Sequence, residues 1–265
     1  MSKITVSTLL VKKEQQQKIV SLTCYDASFA KILDDADVDV ILVGDSLGMV
    51  VQGQDSTLPV TIDDMVYHTQ MVNRGIKHSL LVADMPFMSY ASPQQALETA
   101  SRLMKQGGAH MVKLEGGFER VEIIEALVKN SVPVCGHLGL LPQSVHKLGG
   151  YKVQGRVQCE AAHILAEARA LEEAGVSALV LECVPEALAK KISKKISVPT
   201  IGIGAGVHCD GQILVLYDIL GLTSGTHPSF VRNFLQDNEN INAAVLAYCN
   251  AVRNKTFPGK TETFN

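Results

Sequence analysis

Eight short runs rich in Val, Ile and Leu recur along the chain, and between them lie stretches with helical period. The runs fall at 18–23, 39–43, 79–83, 110–114, 132–136, 178–182, 199–203 and 213–216. Each is short and apolar without polar alternation, so it reads as a strand covered on both faces. Strand–helix alternation of this kind builds parallel sheets. Eight such units favour a closed TIM (β/α)8 barrel over a doubly wound open sheet, and 265 residues suit the roughly 250 that barrel needs. An internal echo agrees: QGGAHMVKLEGG, a helix and SVPVCG (106–136) is matched by EAGVSALVLECV, a helix and SVPTIG (173–202). Glu115 aligns with Glu182 in that echo. The whole chain, 1–265, is expected to be a single barrel domain with an extra C-terminal helix beyond Phe230 and a polar tail from Lys255.

Helix signals punctuate the connections. Residues 61–76 carry Ile62, Met65, Val66, Val72 and Ile76 on one side, with Thr61 as N-cap. The segment 92–106 begins with Ser92 as cap, Pro93 at the first helical position and Gln95 placed to complete a capping box. Gly107-Gly108 should stop it. A further helix is expected from Pro185 to about Lys195.

A hydrophobic content of 46% and a charged content of 19% describe a chain with ample core. A net charge of −3 offers no basic face for nucleic acid. The polar start lacks the apolar stretch of a signal peptide, and no run approaches the 18 or so apolar residues of a spanning helix. The expected location is therefore the cytoplasm, without a membrane partner. Six cysteines (24, 135, 159, 183, 209 and 249) are scattered with no CxxC pair, which points to buried free thiols rather than disulfides or zinc.

Four acidic residues stand where strands run out: Asp45 after VDVILVG, Asp84 after SLLVA, Glu115 after MVKL and Glu182 after SALVL. In a β/α barrel these strand ends share one mouth. Two carboxylates about 5 Å apart repel by roughly 3 kcal/mol at an effective dielectric of 20, so a cluster calls for a cation or a shared proton. With no His/Cys set for zinc, oxygen ligands point to a hard ion, Mg²⁺ foremost. Lys113 shares a strand face with Glu115 and could pair with a substrate carboxylate or offset the acidic cluster. Ser46 could hold a small anion, and His137 adds a polar group at the rim. Structural roles compete with each of these. Asp45 and Asp84 could cap helices, Glu115 and Glu182 could be solvated loop residues, Lys113 could pair internally with Glu115, and His137 could be a satisfied core group. The glycines of IGIGAGVH (201–208) could bind phosphate, allow tight turns or leave room for a flat ligand ring.

The blocks VGDSLGMVVQGQDSTLPVTIDDMVYHT (43–69), LLVADMPFMSY (80–90), MVKLEGG (111–117), PVCGHLGLLPQSV (133–145), GGYKVQGR (149–156), LVLECVP (179–185) and IGIGAG (201–206) resemble the ketopantoate hydroxymethyltransferase family. The resemblance covers nearly the whole chain in order; Leu141 departs from the Thr or Met expected there. It implies a barrel of the phosphoenolpyruvate/pyruvate-binding type, assembled as a homodecamer. The implied activity is transfer of a one-carbon unit from 5,10-methylenetetrahydrofolate to 3-methyl-2-oxobutanoate, for pantothenate synthesis. It further implies one Mg²⁺ per subunit on Asp45 and Asp84, with Glu115 near the ion through water. Ser46, Asp84 and Lys113 would contact substrate and Glu182 would accept the proton; the residue pattern adds Asp45 and His137 as candidate substrate contacts. The nearest rival is a carbon–carbon lyase or phosphoenolpyruvate mutase on the same barrel; those lyases use a loop cysteine, and the loops after Glu115 and His137 contain none. A non-catalytic barrel that senses an oxo acid is the other.

Overall fold

Strands β1 (Ile19–Thr23), β2 (Val40–Val43), β3 (Leu80–Asp84), β4 (Met111–Glu115), β5 (Val134–Gly139), β6 (Ala178–Glu182), β7 (Thr200–Ile203) and β8 (Gly211–Leu214) form a closed barrel in chain order. Every neighbouring pair is parallel, and β8 closes on β1 through Ile19 opposite Gly211 and Leu22 opposite Leu214. The protein is described by a computed structural model over residues 3–150, 152–223 and 228–265. No helix among the described residues is long and apolar enough to cross a membrane.

The helices are α1 (Val6–Glu14), α2 (Ala27–Asp35), α3 (Leu47–Val50), α4 (Ile62–Gly75), α5 (Pro93–Lys105), α6 (Val121–Lys129), α7 (Val145–Leu148), α8 (Gln158–Glu173), α9 (Glu186–Lys195), α10 (Leu216–Ile219) and α11 (Ile241–Arg253). Thr61 caps α4 as expected, in a reciprocal box with Asp64. Ser92 caps α5 by accepting from the Gln95 N–H, but the reciprocal arm differs. The Gln95 side chain turns instead to the Ala91 N–H and the Met88 carbonyl. No helix joins β7 to β8; residues 204–210 cross directly. Gly204 and Gly206 adopt φ of +60° and +79° there, and a Cβ would strike Phe230 or Glu186. Their role is tight turning and close approach.

Side chains alternate in and out along each strand. The inward set at the base is apolar: Ile19, Val40, Leu42, Leu80, Val82, Met111, Cys135, Ala178, Val180, Ile201 and Ile213 pack together, closed from below by Leu9 of α1. Burying each large aliphatic chain there stabilises the fold by about 1.5–3 kcal/mol. Two strands depart from expectation by more than one residue. β5 begins at Val134, because Pro133 has no N–H to give the ladder, and it runs on through His137. β8 begins at Gly211, which pairs with both Ile19 and Ile201 and carries no Cβ that would clash between them.

Beyond Phe230 lie α11, capped by Asn240, and a single 3-10 turn at Lys260–Glu262. The tail is docked rather than loose. Phe257 is buried, Arg232 donates to Glu262 from Nε and Nη2 at 2.7 and 2.9 Å, and the Glu186 N–H donates to the Phe264 carbonyl.

Candidate active site

The inward period of two carries straight into the mouth. Leu80 and Val82 are followed by Asp84, Met111 by Lys113 and Glu115, Cys135 by His137, and Ala178 and Val180 by Glu182. Register then sets neighbours side by side, with Asp84 opposite Lys113 and Glu115 opposite His137. The polar layer is thus the top storey of the apolar one, and Asp45 joins it from the turn after β2. Asp45, Asp84, Lys113, Glu115 and His137 are all buried; Glu182 keeps 14% of its side-chain surface exposed.

Asp45 and Asp84 are adjacent: the Asp45 N–H donates to Asp84 Oδ2 at 3.1 Å. Lys113 Nζ lies 2.6 Å from Asp84 Oδ1, so its partner is Asp84 and not Glu115. Neither aspartate caps a helix. Asp45 Oδ2 accepts from Gln143 Nε2 at 2.8 Å, and Ser46, which precedes α3, makes no side-chain cap. The Ser46 hydroxyl instead pairs with Tyr25 at 2.8 Å. Gly44 leaves it room, since a Cβ would come within 2.8 Å of that hydroxyl.

Glu115 and Glu182 belong to strands, not loops, and His137 lies between them. Its Nε2 is 3.2 Å from Glu182 Oε2 and its Nδ1 is 3.6 Å from Glu115 Oε1. Neither contact has hydrogen-bond geometry, so Glu115 Oε1 and both ring nitrogens are buried without a hydrogen-bond partner. Such groups cost free energy unless something else meets them.

Electrostatics carries the same message. Burial, then the charges of Asp84 and Glu115, push the Asp45 carboxyl well above its ordinary range, with Lys113 and Gln143 only partly opposing. Burial and Lys113 push His137 down, yet its contacts with Glu115 and Glu182 outweigh them and raise it. One lysine faces three buried carboxylates. That imbalance, with an orphaned carboxylate oxygen, suits an added cation. Among the described residues no three His, Cys, Asp or Glu side chains converge tightly enough to enclose a metal unaided.

Beside Glu115 an open cleft of about 80 Å³ is bounded by Phe87, Met88 and Tyr90, by Glu119 and Arg120, and by Leu141. All six cysteines are free, and all but Cys159 are buried. Burial pushes the Cys24, Cys135, Cys209 and Cys249 thiols up to about 12, which leaves them protonated and unreactive near neutrality. Sequence reading passed over Tyr25, Tyr90 and Gln143, whose only signal is a polar group in a loop leaving a strand end.

The sequence pattern of the ketopantoate hydroxymethyltransferase family matches residues 3–260. The chain is 56% identical over 265 residues to a 3-methyl-2-oxobutanoate hydroxymethyltransferase of Shewanella sp. (strain MR-4), covering 100% of both chains. It is 55% identical over 258 residues to one of Nitrosococcus oceani, covering 97% of this chain and 98% of that one. Among solved structures it resembles a phosphoenolpyruvate phosphomutase from Streptomyces platensis, with a TM-score of 0.62, 12% identity and 82% of each chain covered. It also resembles a phosphonopyruvate hydrolase crystallised with oxalate and Mg²⁺, with a TM-score of 0.61, 12% identity and 81% of each chain covered. A 2,3-dimethylmalate lyase of the PEP mutase/isocitrate lyase superfamily has a TM-score of 0.59 at 17% identity, over 83% of this chain and 81% of that one. These structural likenesses concern the fold.

Proposed function

The chain belongs to the ketopantoate hydroxymethyltransferase family, and on that premise we propose that its mouth binds 3-methyl-2-oxobutanoate on a divalent cation and deprotonates it at C3 with Glu182. The activity is that of a hydroxymethyltransferase; the residue roles, the ion and the carrier are our reading. The observation that carries it is the close set of Asp45, Asp84 and Glu115 around one lysine, with the Asp45 N–H on Asp84.

Asp45 and Asp84 would hold the ion, with Glu115 beside it through water. Mg²⁺ commonly takes one or two carboxylates and fills its shell with water and substrate oxygens, so a site that no trio of side chains encloses is consistent with it. The ion's contribution when bound is positive charge against the keto and carboxylate oxygens of a 2-oxo acid. The Mg²⁺ and oxalate in the phosphonopyruvate hydrolase, whose barrel resembles this one, support that choice.

The remaining work falls to protein side chains. Lys113, held on Asp84, orients the substrate carboxylate together with the Ser46 hydroxyl, which Tyr25 fixes. Glu182 accepts the proton from C3, and the electron pair left behind forms the new carbon–carbon bond to the one-carbon unit. His137, set between Glu115 and Glu182, orients the Glu182 carboxylate for the transfer. We take 5,10-methylenetetrahydrofolate as the donor, approaching through the cleft beside Glu115; both carbon–nitrogen bonds of its methylene group break, water supplies the hydroxyl oxygen, and tetrahydrofolate leaves with the C3 proton and one proton of that water on its nitrogens. On the resemblance alone we also place the enzyme in the cytoplasm as a homodecamer, which sedimentation would test.

The decisive experiment is ¹H NMR of 3-methyl-2-oxobutanoate in D₂O with the protein. Metal-dependent loss of the C3 proton signal without folate, and a new hydroxymethyl resonance with it, are expected. Exchange that persists at full rate after rigorous metal removal would overturn the cation's role.

A further inference from the structure

Gln143 follows Pro142 in the loop after β5 and is buried. Its side chain is fully engaged. Nε2 donates to Asp45 Oδ2 at 2.8 Å and to the Met85 carbonyl at 3.0 Å, while Oε1 accepts from the Tyr90 hydroxyl at 2.5 Å. Its backbone N–H donates to Glu115 Oε2 at 3.0 Å. One residue from the fifth strand's loop therefore ties down groups at the ends of β2, β3 and β4.

The direction of these bonds is dictated by the neighbours. The Tyr90 oxygen already lies 3.4 Å from the Glu115 N–H, which donates to it, so the Tyr90 proton is free to point at Gln143 Oε1. With Oε1 committed there, the amide nitrogen must face Asp45. A flipped amide would set its oxygen against a carboxylate oxygen and its N–H₂ against a hydroxyl proton, losing both bonds. The result is a polarised relay, Glu115 N–H to Tyr90 O–H to Gln143 N–H to Asp45, in which every donor points toward the carboxylate. Arg120 roofs it, with its guanidinium 5.1 Å from the Tyr90 ring centre and Nε on the Glu115 carbonyl.

We propose that Gln143 is a positioning residue for the cation site, fixing Asp45 through its side chain and Glu115 through its backbone so that both carboxylates are preset before the ion arrives. The proposal rests on the cation reading above. It adds a residue that would touch neither ion nor substrate, and it makes Tyr90 the group that sets the amide's orientation. Groups that orient metal ligands from behind typically change metal affinity by about 10–100-fold when lost.

The test is titration calorimetry of Mg²⁺ into the metal-free full-length protein, the variants Gln143→Met and Tyr90→Phe, and their double variant, each with a thermal melt. Methionine keeps the length and bulk of glutamine without the amide, and leaves the backbone bond to Glu115 in place. Gln143→Met is expected to weaken Mg²⁺ by about 10–100-fold, and Tyr90→Phe by less. The double variant is expected to bind no worse than Gln143→Met alone, because both changes break one relay. Mg²⁺ affinity in Gln143→Met equal to or above that of the parent overturns the proposal, and so do losses that multiply in the double variant. Should Gln143→Met fail to fold, Tyr90→Phe decides alone, and parental affinity there is the refuting result. A parent protein that takes up no divalent ion would instead remove the cation reading, and this proposal with it.

Discussion

At the base of the barrel, Asp34 receives four hydrogen bonds from Lys77, His78 and Ser79. Nearby, Asp39 sits on Lys12, and Asp210 on Lys13 and Thr200. At the mouth, Asp45, Asp84 and Glu115 share Lys113, and Glu115 Oε1 has no hydrogen-bond partner. Burial alone would raise Asp34, yet its hydrogen bonds hold it below its ordinary value; at Asp45 burial and two like charges act together and raise it. The base is complete as folded, whereas the mouth gathers more carboxylates than cations, an excess that a proton or a bound cation relieves. On the reading proposed above, the mouth keeps the groups that would act on a ligand while the base is satisfied within the fold, as the barrel architecture permits.

The largest expected effect separates chemistry from folding. Glu182→Gln should slow C3 proton exchange by about 10²–10⁴-fold with little change in melting temperature; parental exchange, followed by NMR in D₂O, would remove Glu182 from its role. Next, Asp84→Ala strands the Lys113 ammonium in a buried site and should cost about 3–5 kcal/mol in urea unfolding. Parental stability would mean that the neighbouring carboxylates hold Lys113 equally well. At the other end, Asp34→Ala leaves three backbone N–H groups without their acceptor, the Ser79 hydroxyl keeping the Val38 carbonyl, and should cost about 1–3 kcal/mol. Proton exchange at room temperature should stay parental in that variant, and a slowed rate would blur the division of labour.

pH distinguishes the two ends further. A lowered carboxyl such as Asp34 contributes stability above its unfolded value near 4, and that contribution is lost as pH falls through the lower folded value. A raised one such as Asp45 acts the other way: in metal-free protein, stability declines as pH rises from about 4 through the higher folded value. The smallest effect follows from this. Asp45→Asn should stabilise the metal-free protein near neutrality by on the order of 1 kcal/mol while weakening Mg²⁺ binding. Melts of both proteins in chelator across pH would show it, and parallel curves would mean that Asp45 carries no repulsion.

The barrel was legible because each strand is a dense apolar run, and the site because its acids prolong the inward period: Leu80-Val82-Asp84 and Ala178-Val180-Glu182 need only alternation to be placed. Ends were less legible where one residue overrides composition, as Pro133 delays β5 and Gly211 advances β8. The choice of Asp84 over Glu115 as partner of Lys113 depends on cross-strand register, which local pattern does not encode. Gln143, Tyr90 and Tyr25 escaped notice for a related reason. They reach the mouth from loops, where no period announces which side chain turns inward.

The absent helix between β7 and β8 gives the final residues an unexpected duty. Phe264 sets its ring 6.2 Å from Phe230 over the bare backbone of Gly204, and its carbonyl caps the start of α9 through Glu186. Trimming the last few residues, which composition alone marks as dispensable, would therefore remove masonry from the wall beside the seventh strand and let solvent in next to Glu182, which lies opposite Ile203.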